Sequence, residues 1–328
     1  MSIRIHLTAD DLSEIRFAFS PIWELGMSIK KALADPSKHA LHLPWVTQAR
    51  RDLAGHDVDL LFELIPDASH WIPDFLTPPP ETPFPEFEEE LERVVSTPRE
   101  TVRTEIELLR DEMGGTLGPG AERMLDDPDR WLVVLGEQMQ RYWKLTLEAH
   151  WPRIRALHEG DVMYRARTLA LGGAQALFAD LHPAIAWADG VLEIDKGYDA
   201  EIRPAGDGLL LIPVVFDWPG VATLWGRGWQ ATLSYSPRGI ADLWEPQAPP
   251  RTGAMDELIG GTRADILRVL DVPMTTSELA TRLHLTPAAV SQQLGLLRRA
   301  GVVEAHRQGR GVYSTLTPTG RKLLELLG

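Results

Sequence analysis

The sequence predicts an α+β chain: a mostly helical N-terminal domain with a small antiparallel sheet, then a small C-terminal domain of paired helices and a β-hairpin. Three observations predict it. Up to residue 180 the apolar residues recur at helical spacing between Ser, Thr and Pro punctuation. Beyond His182-Pro183 the pattern changes to short runs rich in Val, Ile, Leu, Trp and Tyr, separated by Gly, Asp or Pro. From Thr275 the chain reads TTSELATRLHLTPAAVSQQLGLLRRAGVVEAHRQGRGVYSTLTPTG, in which two helical segments flank a tight turn and a hairpin follows. The expected domains are 1–240 (helical over 1–180, sheet over 190–236), a hinge at 241–253, and 254–328.

In chain order, Thr8-x-x-Asp11 opens a first helix, and Ser20-Pro21 opens a second with Trp23, Met27, Ile29 and Leu33 as its apolar positions. Pro44 begins a third that ends at Gly55, and residues 57–65 form a short fourth. Residues 73–85 hold six prolines and are read as an extended connection, pinned to the surface by Phe75 and Phe84. Helices resume at Glu86 and at Thr97-Pro98, the latter running to Gly114-Gly115. Residues 129–150 and 152–179 are the longest helices, divided at Trp151-Pro152. The runs 191–194, 200–203, 208–216, 221–225 and 229–235 form the sheet. Pro237, Pro246, Pro249 and Pro250 mark the hinge region.

In the C-terminal domain, Thr275 and Glu278 make a capping box, and Leu279 and Leu283 share one face of the helix it opens. The residue before a proline avoids the α region, so His284-Leu285-Thr286 breaks the helix ahead of Pro287. Thr286 is then the N-cap of a second helix, 287–299, whose buried stripe is Val290, Leu294 and Leu297. Its opposite face carries Ala288, Ser291, Gln292 and Gly295, with Arg298 and Arg299 at its end. These are small, hydrogen-bonding or basic groups, the kind a helix needs to approach base edges and phosphates in a major groove. After Gly301, strands at 302–306 and 311–316 form a hairpin within 302–316, with Arg307 and Arg310 at its tip, suited to the phosphate backbone or minor groove.

The stretches SELATRL and TPAAVSQQLGLLRRAGVVEAHRQGRGVYSTLT resemble the winged helix-turn-helix of the bacterial ArsR/SmtB-type transcriptional regulators. The opening IRIHLTADDLSEIRFAFSPIWELGMSIKKAL and the segment SPRGIADLWE resemble a domain fused ahead of such winged helices in some actinobacterial regulators. The first resemblance implies double-stranded DNA as partner, with Thr286, Ala288, Ser291, Gln292, Gly295, Arg298, Arg299, Arg307 and Arg310 as the contacting residues. Metalloid sensors of that family place cysteines in the helix that here reads Glu278-Leu279-Ala280-Thr281-Arg282-Leu283, which has none. Metal sensors with Asp and His pairs on the last helix find here only Glu325 and no imidazole. No metal and no cofactor are expected.

Charge follows the same division. The chain carries −14, yet residues 251–328 hold ten basic against seven acidic residues, and between Arg282 and Lys322 seven basic against one, Glu304. A local basic stripe, not net charge, marks a nucleic-acid surface. With no cysteine, disulfides, thiolate metal sites and thiol redox sensing are excluded. The N-terminus lacks a signal-peptide stretch, and the longest apolar run, from Leu209 to Phe216, is far short of the roughly 20 residues of a membrane span. A cytoplasmic protein with no membrane partner is expected.

His39 and His42 share a helical spacing but lack further ligands, so a metal site is not assigned to them. Four of the eleven tryptophans fall between residues 218 and 244. Most are read as sheet core, and Trp218, Trp225 and Trp229 are the candidates to line an effector cavity. No nucleophile elbow, phosphate loop or paired-carboxylate set stands out, and no enzyme is expected. The expectation is therefore a bacterial DNA-binding transcriptional regulator, a repressor acting as a homodimer. Its N-terminal domain would sense an organic effector or dimerise, and part of the dimer contact would come from it. Leu258, Ile266, Leu267, Leu323, Leu324 and Leu327 serve as core or dimer face. The alternative is a winged-helix protein–protein interaction scaffold, which would expose Leu, Phe or Trp on residues 286–299 and 307–310.

Overall fold

Ile3, Ile5 and Leu7 alternate with Arg4 and His6, the period of a half-buried strand. In the computed structural model of the chain, Ser2–His6 is indeed a strand with Ile3 and Ile5 buried. The structure describes residues 1–67, 71–226, 228–244, 254–270, 272–308 and 311–327. It divides into two units, Met1–Glu245 and Pro246–Gly328.

The first unit contains two four-stranded sheets. One has the order Ile185–Ala188, Val191–Asp195, Ser2–His6, Ala200–Ile202, with Ser2–His6 antiparallel to Val191–Asp195 and parallel to Ala200–Ile202. The other has the order Arg16–Phe17, Leu210–Pro213, Trp229–Tyr235, Val221–Gly226, of which only the last pair is antiparallel. The α+β class stands, but the single antiparallel sheet over 190–236 is corrected to two mixed sheets. Each is completed by a strand from the first 17 residues, inside the region read as helical. Parallel neighbours need a long crossover; the helical segment supplies it for the pairs made by Ser2–His6 and Arg16–Phe17, and the strand Val221–Gly226 lies in the connection of Leu210–Pro213 to Trp229–Tyr235.

The helices start where their caps place them. Thr8 Oγ1 accepts the Asp11 N–H at 3.2 Å, and Asp11 Oδ2 accepts the Thr8 N–H at 2.8 Å, closing the capping box of Ala9–Ser13. Ser20 caps Pro21–Met27, which widens into a π-helical turn over Ser28–Leu33. Leu43–Asp52, Asp59–Leu64, Phe87–Val95, Arg99–Glu112, Pro128–Thr146 and Trp151–Ala179 occupy the expected regions. Pro119–Asp126 is a further helix, opened by Pro119. In the proline-rich connection Phe75 is buried in the core, whereas Phe84 stays exposed against Phe19, so only the first pins the segment.

Two apolar cores result. One gathers Trp23, Trp45, Leu135, Tyr142 and Ile154 from helices with Phe216; the other gathers Ile3, Ile5, Phe178, Leu192, Leu233 and Tyr235 around the sheets. Buried polar groups join the helices to the strands. The Val215 N–H donates to Glu24 Oε1 at 2.7 Å, His158 Nε2 lies 2.9 Å from the same oxygen, and the Gly206 N–H donates to Asp11 Oδ1 at 2.7 Å. Of the predicted hinge, Leu243 is buried and the Trp244 indole N–H donates to His42 Nδ1 at 2.9 Å; residues 245–253 lie outside the described residues. His42 and His39 are both buried, and burial, with the His39 charge, lowers the His42 pKa to about 4.

Glu90 gives this core a pH dependence. Its carboxyl is buried and receives the Ser20 hydroxyl and the Ile22 N–H, yet burial raises its pKa to about 8. In the unfolded chain a glutamate ionises near pH 4.5. The folded state therefore binds the extra proton, and stability falls as pH rises from about 4.5 to 8. Glu90→Gln removes the titrating group. Chemical unfolding of the wild type should lose stability relative to Glu90→Gln across that window, and parallel pH profiles would show Glu90 ionised in the fold.

Candidate nucleic-acid interface

The second unit builds its core on the stripe written into the second helix. Val290, Leu294 and Leu297 are buried with Ala264, Ile266, Leu267, Leu279, Val303 and Leu316, and Leu323 and Leu324 pack against them. Ile266, Leu267, Leu323 and Leu324 are thus engaged within the unit, while Leu258 is exposed. Thr275 Oγ1 accepts the Glu278 N–H at 3.3 Å and Glu278 Oε2 accepts the Thr275 N–H at 2.7 Å, setting the start of Thr276–Arg282.

That helix ends at Arg282, five residues before Pro287. His284 adopts φ 54°, the His284 N–H donates to the Thr281 carbonyl at 3.3 Å, and the Leu285 N–H donates to the Ala280 carbonyl at 2.9 Å. This is a Schellman closure with a histidine in the left-handed position that favours glycine. His284→Gly should raise the stability of this unit by about 0.5–1 kcal/mol by removing that strain. A lower unfolding midpoint would show that the imidazole contributes a contact outweighing the strain.

Thr286 Oγ1 accepts the Ala289 N–H at 3.2 Å and opens Pro287–Arg299. The helix closes the same way as its predecessor, with Gly301 at φ 72° and the Val302 N–H on the Leu297 carbonyl at 3.1 Å. With both ends fixed, the stripe inward places Ala288, Ser291, Gln292, Arg298 and Arg299 in solvent and Gly295 half-exposed between them. A Cβ at Gly295 would stand 3.7 Å from Arg299 Nη1, so the guanidinium folds back over the glycine. Thr286 is exposed, its hydroxyl spent on the cap.

The hairpin pairs Val303–Gln308 with Gly311–Leu316 in the register Arg307↔Val312 and Gln308↔Gly311, and Met274–Thr275 adds a third strand beside Gly311–Leu316. The first strand runs two residues further than the sequence suggested, carrying Arg307 on its exposed side. Arg310 lies outside the described residues. Glu304, the acidic residue of this stretch, sits 3.2 Å from His306 Nε2. Arg282, at the end of the first helix and the first of the basic stretch, is exposed as well, though its sequence position alone did not mark it as a contacting residue. Together the elements form a winged helix-turn-helix.

The three tryptophans proposed for an effector cavity separate. Trp218 packs at the helical core beside His42, their rings 6.3 Å apart; Trp225 packs on the sheet core and stacks on Tyr198 at 6.4 Å; Trp229 borders an open groove of about 620 Å³ with Pro78 and Pro98. Among the described residues no group of three or more His, Cys, Asp or Glu could hold a metal ion, and no helix is long and apolar enough to cross a membrane.

Residues 259–306 match a family described as a helix-turn-helix domain, and residues 113–239 match a family of unknown function (DUF5937). Over 60 residues, 18% of this chain, the sequence is 40% identical to the transcriptional activator HlyU of Vibrio cholerae serotype O1. That match spans 56% of HlyU, about half the relative's length. The structure of reduced HlyU from Vibrio cholerae N16961 matches at 35% identity and a TM-score of 0.19, covering 20% of this chain and 72% of that one.

Proposed function

We propose that this chain is a DNA-binding transcriptional regulator of ArsR/SmtB type, which reads an operator with Pro287–Arg299 and grips the backbone with its hairpin. The observation that carries the reading is the outer face of that helix, which exposes Ala288, Ser291, Gln292 and Arg299 with no carboxylate. A helix N-terminus in the major groove reads only a few base pairs, so the regulator acts as a homodimer on two half-sites one helical turn apart, roughly 34–36 Å. The similar segment of HlyU, named a transcriptional activator, supports a regulatory role. Repression remains the proposed direction for this chain, and a promoter–reporter assay in the presence and absence of the chain decides it. The Met1–Glu245 unit is the proposed sensor of an organic effector. The chain is proposed to have no catalytic activity.

The scaffold reading is weaker, because residues 286–299 expose no Leu, Phe or Trp. The test is a fluorescence-anisotropy titration of the full chain with duplex DNA at several salt concentrations. Affinity should fall with salt, and Arg307→Ala should reduce the slope of log K against log salt by about 0.9 for the lost phosphate contact. An unchanged slope removes Arg307 from the interface, and no salt-dependent binding by the wild type overturns the proposal.

A further inference from the structure

The first unit also holds a small cavity, of about 240 Å³, that the tryptophan cluster did not point to. Trp23, Trp71 and Tyr198 line it with the edge strand Val221–Gly226, and Lys30, Lys31 and Lys196 border its polar side. Lys30 and Lys31 come from the π-helical turn Ser28–Leu33, a rare conformation frequent at functional sites. The lysines differ in how their charge is met. Lys30 donates to the Pro66 carbonyl at 2.6 Å in the field of Glu112 and Asp67, and Lys31 forms an ion pair with buried Asp217. Lys196 donates to the Val221 carbonyl at 2.6 Å and makes no ion pair among the described residues. Burial, reinforced by the Lys31 charge and opposed by the Asp217 carboxylate, lowers its pKa. Asp74 is the carboxylate on the lining.

We propose that this cavity binds a small organic monocarboxylate, its carboxylate paired with Lys196 and its apolar body held against Trp23, Trp71 and Tyr198. A half-buried ammonium that has no direct ion pair and shares the Asp217 field with Lys31 is costly, and an anion placed beside it recovers part of that cost. The volume lies below the roughly 300–1,000 Å³ of sites for drug-sized ligands, which limits the occupant to a single ring or a short acyl chain. As the effector site, the cavity rests on the reading of this unit as the sensor. As a binding site, it stands independently of that reading.

The experiment is calorimetric titration of the full chain with benzoate, phenylacetate and hexanoate, with neutral benzamide as the control. At least one acid should bind saturably at one site per chain and at least about tenfold tighter than benzamide. Lys196→Met, which keeps the aliphatic stem, should lose about ten- to hundredfold in affinity for that acid, the loss of one charge-assisted hydrogen bond. The same variant should leave benzamide binding unchanged. No saturable binding of any acid, equal affinity for benzamide, or an unaltered Lys196→Met chain overturns the proposal. The benzamide comparison uses the wild type and so holds even if the variant fails to fold. Carboxylate binding through Lys196 that leaves DNA affinity unchanged upholds the site and overturns the sensor reading.

Discussion

Leu294→Ala should destabilise the Pro246–Gly328 unit by about 2–5 kcal/mol, the range for removing a fully buried leucine. Leu294 is fully buried in the middle of Pro287–Arg299, where the core of the unit converges. A unit this small has limited apolar area to bury, and domains in general are stable by only about 5–15 kcal/mol. Losing Leu294 therefore removes a large fraction of what holds the reading helix in place. Amide hydrogen exchange across residues 287–299 should accelerate steeply and duplex binding should weaken with it, while protection in the Met1–Glu245 unit stays unchanged. A loss under about 1 kcal/mol would mean that the core closes around the gap and that the helix is held by other contacts.

Gln292→Ala should leave the fold intact and act on recognition alone. Its side chain is exposed, two residues along the helix from buried Val290, and its amide offers the donor and acceptor pair that fits an adenine edge. The discrimination between operator and random duplex should fall by about 1–3 kcal/mol, with random-duplex affinity nearly unchanged. Equal losses on both duplexes would place Gln292 on phosphate, where it carries no sequence information.

The second unit was legible because its instructions are local. The Thr275–Glu278 box, Thr286-Pro287 and the Val290, Leu294, Leu297 stripe each act within a turn or two of helix, and each is found where the spacing put it. The break falls at His284-Leu285-Thr286, as the proline implied, but the proline did not imply its conformation. The chain turns at His284, in a left-handed conformation that histidine adopts infrequently and that nothing in the spacing signals.

The first unit was less legible because its strands pair across the chain. Ile3↔Ile194 and Phe17↔Leu211 join residues almost 200 positions apart, and the capping box at Thr8 directs attention to a helix that lasts only five residues. The three tryptophans are apart for a related reason. Nearness in sequence carries no information about side in a sheet covered on both faces, and Trp225 and Trp229 went to different cores. The lysine cavity draws on residues from Trp23 to Leu224, each unremarkable alone.

The central claim, that the Pro287–Arg299 face reads DNA sequence, is tested most directly by selecting duplexes from a random library with the full-length chain. A two-fold symmetric motif with half-sites about one helical turn apart should be enriched. Selection with Gln292→Ala should then relax the preference at one position in each half-site. A wild-type pool that emerges as random as it began would contradict the account.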